Sequence, residues 1–188
     1  VGVLDIIQKT QKWLENDLMG GYIPRIYWTS SPNQLALVWM NREQDHLKLI
    51  MNDVSTGEKD VILEERSNTW IDVSDFFAGR LHHFYFPEAL NSFFFVSEKD
   101  GWAHIYHYDY SGRLINQVTN GEFEVIGIDA LDVKKECLYF ASTEESPLER
   151  HLYVVGFNGK GKKRLTREPG NHSLSVSPGG KYFLDRYS

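Results

Sequence analysis

Seven histidines are the first candidates for chemistry in this 188-residue chain, because imidazole is the commonest metal ligand among side chains. His104 and His107 lie three apart. On an extended strand successive side chains alternate, which sends these two to opposite faces. His82 and His83 are adjacent and diverge for the same reason. No cysteine or carboxylate completes a set at ligand spacing, so neither a metal site nor a cofactor is expected. Nucleophilic catalysis finds no support either. The G-x-S-x-G elbow that exposes a hydrolase serine does not occur. Ser31, Ser55, Ser111 and Ser177 fall in turn segments, where hydroxyls satisfy local backbone groups. Cys137, the one cysteine, sits within the apolar run "CLYFAS" and reads as a buried, inert thiol. A single cysteine also excludes an intrachain disulfide.

Paired carboxylates can grip an amine or a metal, and two pairs are present, Glu64-Glu65 and Glu144-Glu145. At a strand end and in a loop, both read as solvated charge. The segment "EESPLERHLY", 144–153, is a longer connection inside a repeat. Connections carry binding more often than strands do, which makes it a candidate site. Within it, Glu149 and Arg150 are expected to hold the loop or a neighbouring element. Lys160, Lys162, Lys163 and Arg164 surround a hairpin and read as an exposed basic face. Asn171-His172-Ser173 fits the glycosylation sequon. The net charge of -6 disfavours the basic, phosphate-tracking surface of a nucleic-acid binder. No apolar run approaches the length that crosses a bilayer. The opening "VGVLDIIQ" leads straight into structure, as expected of a piece of a longer protein.

The elements that must position these residues are strands. Helical periodicity is nearly absent; only 72–81, "DVSDFFAGRL", could form a helical turn. Short apolar or alternating runs bounded by Gly, Pro, Asn and Asp dominate, the pattern of many short strands. Four segments share a strand–turn–strand opening: "IYWTSSPNQLALVWMNR", "HHFYFPEALNSFFFVSE", "VIGIDALDVKKECLYFAS" and "LSVSPGGKYFLDRYS". Pro32, Pro87 and Pro178 occupy the same place in three of them, where proline presets φ for a turn corner. In the remaining one, 132–135 supplies a polar turn. Pro32 and Pro87 are 55 positions apart and Pro87 and Pro178 are 91, or two repeats of about 45, within the ~40–50 residues of a four-stranded propeller blade.

Third runs follow ("HLKLIMND", "AHIYHYDY", "HLYVVGFN"), each closed by a glycine turn at Gly57, Gly112 or Gly159. Residues 109–112 fit a type I turn. Asn158-Gly159 fits the hairpin turn with two positive φ angles. Fourth runs ("DVILEE", "LINQVT", "KKRLT") complete each unit. The predicted fold is therefore all-β: a β-propeller of four-stranded antiparallel blades, with full blades at 22–65, 68–119 and 122–166 and half blades at 1–16 and 171–188, as a partial propeller in one domain. Four-stranded blades bury their faces by stacking on one another. Trp28, Trp39, Phe94, Phe95, Trp102, Tyr139, Phe140 and Tyr153 are the expected inter-blade core.

Within this frame "YIPRIYW" (22–28), "VSEKDGWAHIYHYD" (96–109), "GEFEVIGIDAL" (121–131), "RHLYVV" (150–155) and "SVSPGGKYFLDRYS" (175–188) resemble, in order, later blades of the N-terminal β-propeller of the dipeptidyl peptidase IV family. The resemblance covers essentially the whole chain. It implies a parent with an eight-bladed propeller and an α/β-hydrolase domain, acting as a serine exopeptidase that removes N-terminal dipeptides. The hydrolase domain holds the Ser-Asp-His triad, and a glutamate pair on an earlier propeller segment binds the substrate amine. Neither lies in these residues. The fragment alone is thus expected to be inactive, with its propeller gating and orienting peptide substrates in the parent. A pocket arginine found near this part of some members has only Arg80 as a counterpart here. Relatives also use these blades for homodimer or protein contacts. The resemblance therefore leaves a second reading open: a protein-binding scaffold in a catalytically inactive member. A single cysteine points to a bacterial-type member, periplasmic or attached to the cell surface.

Overall fold

The computed structural model describes residues 1–14, 20–72, 83–177 and 180–188. The described residues form sixteen strands and no α-helix. Strands β1 (Gly2–Asp5) and β2 (Thr10–Trp13) pair antiparallel. The first four-stranded sheet comprises β3 (Gly21–Trp28), β4 (Gln34–Asn41), β5 (His46–Asp53) and β6 (Lys59–Arg66). The second comprises β7 (Phe84–Tyr85), β8 (Ser92–Ser97), β9 (His104–Asp109) and β10 (Leu114–Gln117). The third comprises β11 (Val125–Asp132), β12 (Cys137–Ser142), β13 (His151–Gly156) and β14 (Lys163–Arg164). A last antiparallel pair joins β15 (His172–Val176) to β16 (Phe183–Tyr187). In every four-stranded sheet the spatial order is the chain order and each neighbour is antiparallel. The chain divides into two compact units, Val1–Asp72 and Val73–Ser188.

In the first unit the sequence "LALVWM" makes β4 a strand buried on both faces, as its unbroken apolar run requires. Leu35, Leu37 and Trp39 share one face by the two-residue period. They cluster with Ile50 and Leu14, and half-buried Val1 and Val3 pack against them. The β1–β2 pair thus lies on the first sheet. In the second unit β8 divides its three phenylalanines by the same alternation. Phe94 joins Ile105, Ile128, Leu138, Phe140, Tyr153 and Val155 in a core shared by the second and third sheets. Phe93 and Phe95 face the other way, and Phe95 stacks on its register partner Phe84 with ring centroids 4.4 Å apart. Trp39, Phe94, Phe95, Tyr139, Phe140 and Tyr153 are buried. Trp28 and Trp102 are not: they are 57% and 38% exposed. Trp28 ends its strand and Trp102 sits in the β8–β9 connection, so neither reaches a core face.

One turn chemistry recurs between third and fourth strands. The Asp53 carboxylate accepts the Ser55 and Thr56 amides at 2.8 and 2.9 Å, and the Gly57 amide donates to the Asp53 carbonyl. Asp109 repeats this with the Ser111 and Arg113 amides, each at 3.0 Å, and Gly112 closes the turn at φ 81°. Asp5 does the same between β1 and β2, accepting the Ile7 and Gln8 amides. These carboxylates substitute for backbone acceptors, the reason Asp favours turns. The 158–159 turn differs from the two-positive-φ expectation. Gly159 alone is left-handed, at φ 77°, while Asn158 uses its side-chain oxygen to accept the Lys160 amide. The longer loop relieves Asn158 of the strained conformation. Pro32 is at the second position of the turn closed by the Gln34 amide on Ser31, but Pro87 starts its turn, one place earlier. Pro178 and 73–81 of the expected helical turn lie outside the described residues.

Candidate functional site

The histidines prove to be fasteners of the sheets. His104 and Thr119 lie 15 positions apart and meet at 3.2 Å, from the start of β9 to the second residue after β10. His151 and Thr166, again 15 apart, meet at 2.9 Å in the third sheet. In both pairs the threonine hydroxyl also accepts a strand amide, of Ile105 at 2.9 Å and of Leu152 at 3.2 Å. The other nitrogen of His104 donates to the Gly121 carbonyl at 2.9 Å. His107 stacks on Phe94 at 4.3 Å and bonds Ser92 at 2.9 Å. Burial pushes its pKa below the ordinary imidazole value. His46 packs edge-on to Trp39 and meets Glu64 at 2.6 Å. His83 packs against Phe95, and His82 lies outside the described residues. Among the described residues no group of three His, Cys, Asp or Glu could hold a metal ion.

The carboxylate pairs are similarly engaged. Partial desolvation of Glu64 works to raise its pKa, but hydrogen bonds from His46 and Arg66 outweigh it and hold the carboxyl below the usual range. Arg66 bonds it at 3.0 Å. In the third sheet the acidic loop and the basic hairpin meet: Glu144 pairs with Lys162 at 2.5 Å and Glu145 with Arg164 at 3.0 Å. Lys162 also lies over the Phe123 ring at 4.9 Å. The Tyr153 hydroxyl donates to Glu145 at 3.3 Å. Burial, then the charges of Glu145 and Glu144, raise its phenol well above the ordinary tyrosine value. The four basic residues are exposed, as the basic-face reading expects, and what the sequence did not reveal is that Lys162 and Arg164 pair with Glu144 and Glu145. Cys137 is half-buried, and burial, then the Asp132 charge, raises its thiol.

Glu149 and Arg150 do tie the 144–153 connection down. Glu149 meets His151 at 2.7 Å. The Arg150 guanidinium donates to the Pro147 and Glu149 carbonyls. The Arg150 backbone bridges in parallel to Asn171 and so links the third sheet to the β15–β16 pair. One contact carried no sequence signal. The rings of His151 and His172 meet at 4.9 Å although they are far apart in repeat position. His172 also stacks on Tyr187 at 5.0 Å and meets the Asp185 carboxylate at 2.8 Å. Arg80, the one arginine named for a substrate pocket, lies outside the described residues.

Four-stranded antiparallel sheets in chain order, repeated with one turn chemistry and flanked by two-stranded pairs, are blades of a partial β-propeller, three full and two half. Residues 2–188 match the family model for the dipeptidyl peptidase IV (DPP IV) N-terminal region, and the chain belongs to that family. It is 32% identical over 179 residues to dipeptidyl peptidase 4 of Trichophyton rubrum, covering 92% of this chain and 22% of that protein. Dipeptidyl peptidase 4 of Arthroderma otae matches with the same identity and coverage. The crystal structure of Porphyromonas gingivalis dipeptidyl peptidase 4 superposes with a TM-score of 0.88 at 29% identity, covering 100% of this chain and 26% of that one. The chain therefore spans about a quarter or less of the relatives it matches.

Proposed function

We propose that this chain is the non-catalytic propeller portion of a dipeptidyl peptidase IV-like serine exopeptidase. In the parent it gates and orients peptide substrates for removal of N-terminal dipeptides. The match of residues 2–188 to the family's N-terminal region supports the assignment most directly. The chemistry of the described residues is consistent with a supporting role: histidines hold strands together, and the 144–145 pair is neutralised by Lys162 and Arg164. Orientation is a large contribution in its own right, since holding a peptide terminus beside a nucleophile removes entropy from the reaction barrier. The Ser-His-Asp chemistry is supplied by an α/β-hydrolase domain of the parent chain. The parent acts in the periplasm or at the cell surface, and a homodimer through these blades fits the same reading.

The test is hydrolysis of a Gly-Pro chromogenic amide by the parent protein and by residues 1–188 alone. Turnover by the parent and none by the isolated chain is the expected pattern. A folded parent without turnover would instead favour a protein-binding scaffold. Fractionation of cells expressing the parent checks its compartment.

A further inference from the structure

The contact between His151 and His172 joins two buried imidazoles from different elements, and their hydrogen-bond partners differ in kind. His151 has the Glu149 carboxylate on Nε2 at 2.7 Å and the Thr166 hydroxyl on Nδ1 at 2.9 Å. A hydroxyl can accept and donate. Thr166 accepts the Leu152 amide and keeps a proton that it can give to Nδ1. One ring proton, on Nε2, is therefore enough to satisfy His151. His172 has no such freedom. Its Nε2 lies 2.8 Å from the Glu168 carbonyl and its Nδ1 2.8 and 2.9 Å from the two Asp185 oxygens. A carbonyl and an ionised carboxylate only accept.

We propose that His172 carries protons on both ring nitrogens and forms, with Asp185, an ionic clasp that makes the closure of the β15–β16 pair depend on pH. The groups around it come from every element in contact. Asp185 and Tyr187 face it from β16, the Glu168 carbonyl from the connection after β14, and the singly protonated His151 from β13, with Glu149 behind that ring. The ring contact accounts for the unequal proton count: a second cation on His151 would lie against His172 with ring centroids 4.9 Å apart. When pH rises until His172 loses its second proton, a nitrogen lone pair is left facing an acceptor in a buried site, which is a costly arrangement. The strand pair then loosens while the third sheet, held by its own ladder, does not.

Two measurements on the 188-residue chain test this. Long-range proton–nitrogen NMR should give His172 two protonated-type ring nitrogens and His151 one. Amide exchange, corrected for intrinsic rates, should show the opening of β15–β16 increasing about tenfold or more at alkaline pH relative to β12–β13, the scale of a charged hydrogen bond. In Asp185→Asn the amide can donate to a neutral His172 ring, so pairing persists and the pH step disappears. An unprotonated ring nitrogen on His172 while the pair is still closed would place the proton on Asp185 and overturn the proposal. Retention of the pH step in the asparagine variant would do the same.

Discussion

Replacing Thr119 with valine probes the histidine fasteners with little change of shape. The hydroxyl accepts the Ile105 amide at 2.9 Å and meets His104 at 3.2 Å, and all three residues are buried. Valine keeps the volume and the branching but can neither accept nor donate. Two buried polar groups then lose their partner, the Ile105 N–H and one ring nitrogen of His104. A buried group left unsatisfied costs about 1–3 kcal/mol, and the two share one site, so the expected loss is about 2–4 kcal/mol. Thr119→Ser keeps the oxygen and should lose under about 1 kcal/mol, mostly for the missing methyl. Urea unfolding followed by far-UV circular dichroism reports the difference as a shift in midpoint with an unchanged slope. Amide exchange at residues 104–119 localises it. A valine variant within about 0.5 kcal/mol of the parent chain, the usual range for featureless substitutions, would refute the idea that this hydroxyl fastens the sheet. A serine variant as damaged as valine would show that packing, not hydrogen bonding, is at stake.

Two further outcomes follow from other sites. Phe94→Ala removes a fully buried ring in contact with His107 and Phe157 and should cost about 3–5 kcal/mol in the same unfolding experiment. Asp109 is held at about 2 by the Ser111 hydroxyl first, opposed by desolvation and aided by Arg113. A depressed carboxylate stabilises the fold above the ordinary value of about 3.9 and ceases to do so as pH falls through its folded value. The stability gap between the unmodified chain and Asp109→Ala should therefore narrow as pH is lowered from 5 towards about 2. A gap that is constant across that window would show that the ionised carboxylate plays no part.

The strands were legible because a period of two and the turn residues act locally. "LALVWM" and "SFFFVS" read as strands from their short apolar runs, and Gly57 and residues 109–112 marked their hairpins. Trp28 and Trp102 misled because burial depends on where in a blade an aromatic falls, and a strand end or a connection hides little. Asn158 misled because one extra loop residue relaxes a turn that the dipeptide alone would strain. The charge partners of Glu144 and Glu145 were invisible in one dimension, since hydrogen-bonded strands bring together side chains 18 positions apart. The His151–His172 ring contact was further out of reach, because it depends on how one strand pair lies on the next sheet.

In each four-stranded sheet the spatial order of the strands repeats their order along the chain. A newly made polypeptide emerging from the ribosome can therefore zip each sheet as its last strand appears, without waiting for distant sequence. Closing short loops costs little entropy, and such local pairing favours fast assembly over slower long-range searches. The polypeptide then exposes at any moment the fringe of one unfinished sheet, a smaller target for aggregation than an all-β chain of interleaved topology would offer during synthesis.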